Sequence, residues 1–277
     1  KRGSGPEGGL LQFRTREDGV LAGRKVLTGG QHGRAGGCST FTVWTTAYAD
    51  DTAFPFATRA AMLEGLQVLF PHFVRFGLQM HVGRNGSKSK TEAVYYPAWG
   101  ESLPDADTSP LQVDGNGSVA FNDTFRYLGS LTDSGTTDKV DVGNRISKAA
   151  RAFGALSEAG FKSRSIIQKR KGRTYTALGL PILLYGSEAW RLKKAEEDRL
   201  MRFHRGCVRT MCGVTKRTVW KKRITAKELE DQLGVLSLQS YYAVRTARAV
   251  GHIARMDMER LPRKLLSSWL PVPRRRG

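Results

Sequence analysis

The stretch FTVWTTAYADDTAF, Phe41 to Phe54, sets two adjacent aspartates between arms rich in β-branched and aromatic residues. That pattern reads as strand, tight turn, strand. Asp50 and Asp51 are the only acids between Asp18 and Glu64. Two carboxylates at the tip of an apolar hairpin are costly to desolvate unless something offsets their charge. A divalent cation with hard oxygen ligands does so. A solvated Asp-Asp turn is the competing reading.

Upstream of this stretch, LLQFRTR and VLAGRKVLTGG alternate around Asp18-Gly19, which predicts a hairpin. The glycine-rich run from Gly29 to Gly37 matches neither a P-loop nor a dinucleotide fingerprint and reads as a connector. Downstream, Met62, Leu66, Leu69 and Phe73 recur at helical spacing within residues 58–78, with Pro71 as a kink or break. Lys90 to Pro97 reads as a strand and 98–110 as an acidic loop. Residues 111–132 read as two or three short strands around Gly115-Asn116-Gly117. After about residue 138 the texture is helical. The expected class is therefore α+β, an antiparallel sheet with packed helices over 1–140 and an all-α, basic region over 141–277.

Composition narrows the partners. With 40% hydrophobic and 25% charged residues among 277, the chain can bury a core. No run of 18 apolar residues occurs and the start, KRGSGPEGG, lacks an apolar signal core, so neither a membrane span nor a secretory address is expected. Three scattered cysteines do not make a disulfide framework, which fits an intracellular, reducing setting. The net charge of +20 points to a polyanion. Residues 1–144 carry 14 Lys+Arg against 15 Asp+Glu, and residues 145–277 carry 31 against 10. The whole excess lies in the second half, where nucleic-acid contact is expected.

Helical spacing there separates apolar faces from basic ones. Val142, Ile146, Ala149, Phe153 and Leu156 share one face, while Arg145, Lys148 and Arg151 form another. Leu200, Phe203, Cys207 and Met211 line one side of the next long helix, and Arg199, Arg202, Arg205 and Arg209 the other. Glu196, Glu197 and Asp198 fall in its first turn, where they suit the helix dipole. Arg245, Arg248, His252 and Arg255 repeat the spacing. Like charges at i,i+4 repel unless phosphates relieve them. Lys169, Arg170 and Lys171, with the run Lys221-Lys222-Arg223, add phosphate contacts or a nuclear address. His204, Cys207, Cys212 and His252 have poor zinc-ligand spacing, and core packing is the favoured reading.

Tyr48-Ala49-Asp50-Asp51 resembles the YADD box of reverse transcriptases. Phe76-Gly77-Leu78 followed by Lys88-Ser89-Lys90-Thr91-Glu92 resembles an element of LINE-type, non-LTR retrotransposon enzymes. Phe125-Arg126-Tyr127-Leu128-Gly129-Ser130 resembles their primer grip. Arg145 to Ala149, Leu180 to Trp190, Phe203 to Arg209 and Gly251 to Met256 look like segments that follow the palm in such elements. The resemblance covers about residues 10–268 and implies the later half of a polymerase palm followed by a thumb. It implies Asp50 and Asp51 as ligands of two Mg²⁺ ions, Lys90 at the leaving pyrophosphate, and Tyr48, Phe125, Tyr127, Leu128 and Gly129 at primer or nucleotide. The implied partners are an RNA template, a DNA primer and deoxynucleotides, with a nuclear location favoured. The family's palm also uses an upstream strand-borne aspartate, a nucleotide-pocket segment and fingers, none of which fits before Tyr48. The chain opens on Lys1 rather than methionine, so it is expected to be the back part of a longer protein and inactive in isolation. A non-catalytic nucleic-acid-binding remnant is the alternative.

Overall fold

The structure is a computed structural model that describes residues 11–16, 38–84, 89–97, 108–114 and 117–269. The class is α+β. The chain forms two compact units, one of residues 1–93, 104–122 and 250–277, the other of 94–103 and 123–249. Residues 94–103 thus go with the second unit although 104–122 return to the first, and the described residues 250–269 go with the first.

In the first unit, β1 (Leu11–Arg16) pairs antiparallel with β2 (Cys38–Val43). The stacked rings of Phe13 and Phe41, 5.5 Å apart, join the two strands. The other edge of β1 takes the terminal strand, Ser268–Trp269, and Thr15 and Ser267 share a buried hydroxyl–hydroxyl bond of 3.1 Å. The hairpin expected around Asp18-Gly19 is therefore not how β1 is paired; residues 17–37 lie outside the described residues. β3 (Thr46–Tyr48) and β4 (Asp51–Ala53) form the hairpin read from the sequence, with Ala49 and Asp50 at the turn. Helix α1 (Arg59–Arg75) starts where the Thr58 hydroxyl accepts the Ala61 N–H. It runs through Pro71 unbroken. Gln67, whose carbonyl loses its partner there, is exposed, so water can satisfy it. Met62, Leu63, Leu66 and Phe70 pack on Val82, Ala93, Leu111 and Val119.

The last two come from β7 (Leu111–Asp114) and β8 (Gly117–Phe121), an antiparallel pair. β5 (Gly83–Arg84) adds to β8 antiparallel and β6 (Glu92–Ala93) parallel. The sheet is thus mixed rather than purely antiparallel, and the strand expected over 90–97 shrinks to two residues. The expected connector at 29–37 and most of the acidic loop lie outside the described residues.

The second unit opens with the hairpin of β9 (Thr124–Tyr127) and β10 (Ser130–Asp133). Helix α2 (Lys139–Leu156) follows and continues as a π-turn, Ser157–Phe161. Helix α3 (Gln168–Thr174), a second π-turn (Tyr175–Gly179) and α4 (Leu180–Leu183) form one more rod. Helix α5 (Lys194–Cys212) ends at Gly213, whose φ of 70° closes the cap. Short α6 (Lys216–Lys221) precedes α7 (Ala226–Leu233), which begins with a capping box between Thr225 and Glu228. Helix α8 (Leu238–Ala254) follows, and residues 238–249 of it belong to this unit. Its core joins Val142 and Ala149 of α2, Leu200, Cys207 and Met211 of α5, and Leu229 and Leu233 of α7. Both apolar stripes read from the sequence face this core. Among the described residues, no helix is long and apolar enough to cross a membrane.

Candidate nucleic-acid interface

The hairpin of β3 and β4 allows only two residues to turn the chain, Ala49 and Asp50, and Ala49 takes a φ of 53° to do so. An alanine there bears a Cβ clash that a glycine would not. The result is an exposed tip. Asp50 and Asp51 are both exposed, and among the described residues neither carboxylate has an ion-pair or hydrogen-bond partner. Tyr48, 67% exposed, stands beside them in the strand. The flanking residues Trp44 to Ala47 are exposed as well, so the arms of this turn are not buried as their apolar sequence suggests. Lys90 lies in the same unit and is exposed; its N–H donates to His81 Nδ1 at 3.1 Å. Buried Ser89 ties that turn down, donating to the carbonyls of His81 and Thr91.

Two adjacent carboxylates are hard oxygen donors of the kind Mg²⁺ takes while keeping most of its waters. They make part of a shell. Among the described residues, no group of three His, Cys, Asp or Glu side chains is placed to hold a metal. His204, Cys207 and Cys212 are accounted for by packing. His204 is fully buried and bonded through Nδ1 to the Tyr175 hydroxyl at 3.1 Å. Burial lowers its pKa to about 4, pushes the Cys207 thiol up to about 12, and raises the Tyr175 hydroxyl well above its ordinary value. The Cys212 thiol donates to the Leu229 carbonyl at 3.7 Å, and His252 is exposed.

In the second unit, the β9–β10 turn is built from parts far apart in the sequence. Leu128 and Gly129 both have positive φ, 48° and 84°, as a two-residue hairpin of right-handed twist requires. Glycine adopts this freely; leucine does not. Three side chains hold the turn. The Tyr185 hydroxyl donates to the Leu128 carbonyl at 2.9 Å, and Arg145 Nη2 donates to the Gly129 carbonyl at 2.6 Å. The Arg145 guanidinium also lies over the Tyr185 ring, 4.3 Å from its centroid. Asp141, one turn earlier on α2, pairs with Arg145 Nε at 3.4 Å. It also accepts the Leu131 N–H at 3.2 Å and the Trp190 indole N–H at 3.0 Å. Gly186, at φ 73°, packs so closely that a Cβ would lie 2.6 Å from Ser130 Oγ. Phe125 and Tyr127 stack on β9, half-buried, with rings 6.1 Å apart. The three stretches Phe125–Ser130, Asp141–Arg145 and Tyr185–Trp190 thus meet at one turn. Asp141, Tyr185 and Trp190 carried no role in the sequence reading; the signal available was the i,i+4 spacing of Asp141 and Arg145 beside an apolar face.

The basic residues divide by burial. Arg151, Lys169, Arg170, Arg202, Arg205, Arg248 and Arg255 are exposed. Lys148, Arg199 and Arg209 are half-buried, and Arg199 reaches the Lys139 carbonyl at 3.5 Å. Arg245 is tied to Glu188 at 2.5 Å. Arg145 and Lys171 do not belong to a phosphate-facing surface. Arg145 is 4% exposed and turned into the hairpin, and Lys171 is 7% exposed with Nζ donating to the Met211 carbonyl. Each ammonium or guanidinium is consumed by a carbonyl from another element, which a helical pattern cannot reveal.

Across 150 residues the chain is 25% identical to an uncharacterized transposon-derived protein, F52C9.6, of Caenorhabditis elegans. That alignment spans 54% of this chain and 52% of the relative, so the chain spans about half the length of the curated relative it matches. No protein-family model matches the chain, and no solved structure matches it.

Proposed function

We propose that this chain is the palm-and-thumb part of an RNA-directed DNA polymerase of a LINE-type retrotransposon. Its similarity to a transposon-derived protein supports a transposon origin. The single observation that carries the finer reading is the clamped turn at Leu128-Gly129. Arg145 and Tyr185, each from a segment that resembles the same family, meet there with Phe125–Ser130, and a leucine is held in a conformation that costs about 1–2 kcal/mol. Backbone strain held by surrounding bonds is a mark of functional turns.

In this reading the turn presents Leu128 and the Gly129 backbone to a primer strand, with Phe125 and Tyr127 stiffening the strand beneath. Tyr185 and Arg145 fix its position. Asp50 and Asp51 would hold Mg²⁺, which supplies an acidified 3′-hydroxyl and charge neutralisation at the reacting phosphate and leaving pyrophosphate. Lys90 adds positive charge toward that pyrophosphate. Exposed arginines of α5 and α8 track the duplex through phosphates and 2′-hydroxyls rather than base edges.

The test is a template–primer hybrid whose primer ends in a photoreactive nucleotide, bound to the full chain and cross-linked. Cross-links mapping to residues 125–130 are expected, together with an affinity that falls about 10³-fold or more between 50 and 200 mM salt. Cross-links confined to other segments, or an affinity flat with salt, would refute the reading. A second reading, a binding protein without turnover, is favoured by the absence of a third ligand beside Asp50 and Asp51 among the described residues. Nucleotide incorporation that is lost on Asp50→Asn separates the two.

A further inference from the structure

Trp220 is 80% exposed, the most exposed of the large apolar side chains described. It sits on α6 within residues 213–227, which contain Lys216, Arg217, Lys221, Lys222, Arg223 and Lys227 and no acid. Among the described residues none of these six cations has an ion-pair partner. The indole borders a shallow groove also lined by Arg209, Lys216, Lys221 and Arg223. The platform is anchored: Val219 and Ile224 pack into the helical core, and the Thr215 hydroxyl caps α6 by accepting the Thr218 N–H at 3.1 Å. Just past α6, Arg223 takes a φ of 52°, and the Ile224 N–H donates to the Val219 carbonyl at 3.0 Å to close the helix end. Arg209 belongs to the same helical face as Arg202 and Arg205, so the groove continues the exposed basic stripe of α5.

We infer that this groove is a binding site for unpaired nucleic acid, with a base stacked on Trp220 and the flanking phosphates on Lys216, Lys221 and Arg223. The argument is one of complementarity. A free indole face surrounded by cations fits a ligand that alternates flat π-faces with negative charges, which a single strand does every nucleotide. A duplex offers the charges but keeps its base faces stacked on one another. An acidic peptide offers the charges and leaves the indole unused. The inference rests on the reading of the chain as a nucleic-acid-binding protein and adds a subsite to it.

The experiment compares the full chain with Trp220→Ala and Trp220→Phe, using a fluorescein-labelled 15-nucleotide oligouridylate and a blunt 15-base-pair RNA–DNA hybrid at fixed salt. Trp220→Ala is expected to weaken strand binding about 5- to 100-fold and hybrid binding less than about twofold, with an unchanged circular-dichroism spectrum. Trp220→Phe should restore most of the loss. Equal losses on strand and hybrid, or strand affinity within about twofold of the parent, would overturn the inference while leaving the broader reading intact. Parent chain that binds neither probe would sink both. Tighter binding to polyglutamate, or to phosphatidylserine vesicles, than to oligouridylate would overturn the choice of ligand.

Discussion

Replacing Arg145 by methionine keeps the length of the side chain and removes its charge. The consequences follow from four contacts. The Gly129 carbonyl loses its donor at 2.6 Å, the Tyr185 ring loses the cation over its face, Ser130 Oγ loses a contact at 3.4 Å, and Asp141 loses its counter-charge. Asp141 and Arg145 side chains are only 3% and 5% exposed, so water cannot rescue the stranded carboxylate. Breaking such a pair from one side costs about 3–5 kcal/mol. Asp141 keeps the Leu131 and Trp190 donors, which places the expectation near the lower end, about 3 kcal/mol. Adding Asp141→Asn removes the uncompensated charge but sets an amide NH2 against either the Leu131 N–H or the Trp190 indole N–H, so the double variant should recover little of the loss. The assay is urea unfolding of the full chain at neutral pH, followed by circular dichroism of the helical unit. Arg202→Met, on the exposed face, should stay within about 0.5 kcal/mol of the parent. A loss below about 1 kcal/mol for Arg145→Met would refute the buried clamp. So would a stable Arg145→Met protein whose nucleic-acid salt slope falls by about 1, the signature of a phosphate contact.

Lys171 should behave as a structural cation: Lys171→Met should destabilise the fold by about 1–3 kcal/mol, read by thermal melting, because the Met211 carbonyl is left without its donor. Lys169→Glu with Arg170→Glu should leave the melting temperature nearly unchanged and weaken binding to a labelled RNA–DNA hybrid. Burial holds His204 neutral with a pKa of about 4, against 6.5 for the free group. The unfolded chain therefore takes up a proton first as pH falls, and stability drops by about 2 kcal/mol between pH 7 and pH 5 from this group. The raised pKa of Glu230 works in the opposite sense, so the reading is the difference in urea midpoints between the parent and His204→Gln, whose curve should be flatter over that window. Leu128→Gly relieves the φ of 48° and should leave stability level or raise it by up to about 1 kcal/mol. If the Leu128 side chain meets the primer, the same variant loses template–primer affinity in a gel-shift titration.

The helical half was legible because its code is local. Val142, Ala149, Leu200, Cys207 and Met211 recur at the 3.6 period, and every one of them is buried. The Asp50 turn was legible for a similar reason, since two strands separated by two residues admit few geometries. What failed depended on groups distant in the chain. The Asp18-Gly19 turn signal is local, whereas β1 is settled by Phe13 meeting Phe41 and by Ser267 meeting Thr15. Pro71 predicts a break only if the orphaned carbonyl is buried, and Gln67 is exposed. Arg145 and Lys171 recur at the spacing of their exposed neighbours. Only the arrival of the Gly129 and Met211 carbonyls tells them apart. The candidate site follows the same division: its residues were named, but the clamp that joins Leu128 to Asp141, Tyr185 and Trp190 exists only in three dimensions.

The described chain places five glycines at positive φ, at helix ends and turns where the absence of a Cβ is all that is needed. Four other residues accept the same strain with a side chain: Ala49, Leu128, Thr136 and Arg223. Thr136 has a local explanation, because Asp133 accepts both the N–H and the hydroxyl of Thr137 at 2.7 Å and winds that turn tight. Arg223 has one as well: just past α6, its N–H donates to the Trp220 carbonyl at 3.3 Å and the Ile224 N–H to the Val219 carbonyl at 3.0 Å, which closes the helix end. Leu128 is held by the Tyr185 hydroxyl, which donates to its carbonyl. Ala49 turns the chain beside the paired carboxylates, Leu128 sits in the clamped hairpin, and Arg223 ends the tryptophan-bearing basic segment. A chain able to place glycine at Gly77, Gly186, Gly213 and Gly234 could have used it at these three positions as well. At Leu128 and Arg223 the cost of about 1–2 kcal/mol is offset by the bonds around them, the Tyr185 and Arg145 donors at the hairpin and the closed end of α6. At Ala49 a side chain leaves the backbone less free than a glycine would, so the turn that carries Asp50 and Asp51 is the stiffer for it.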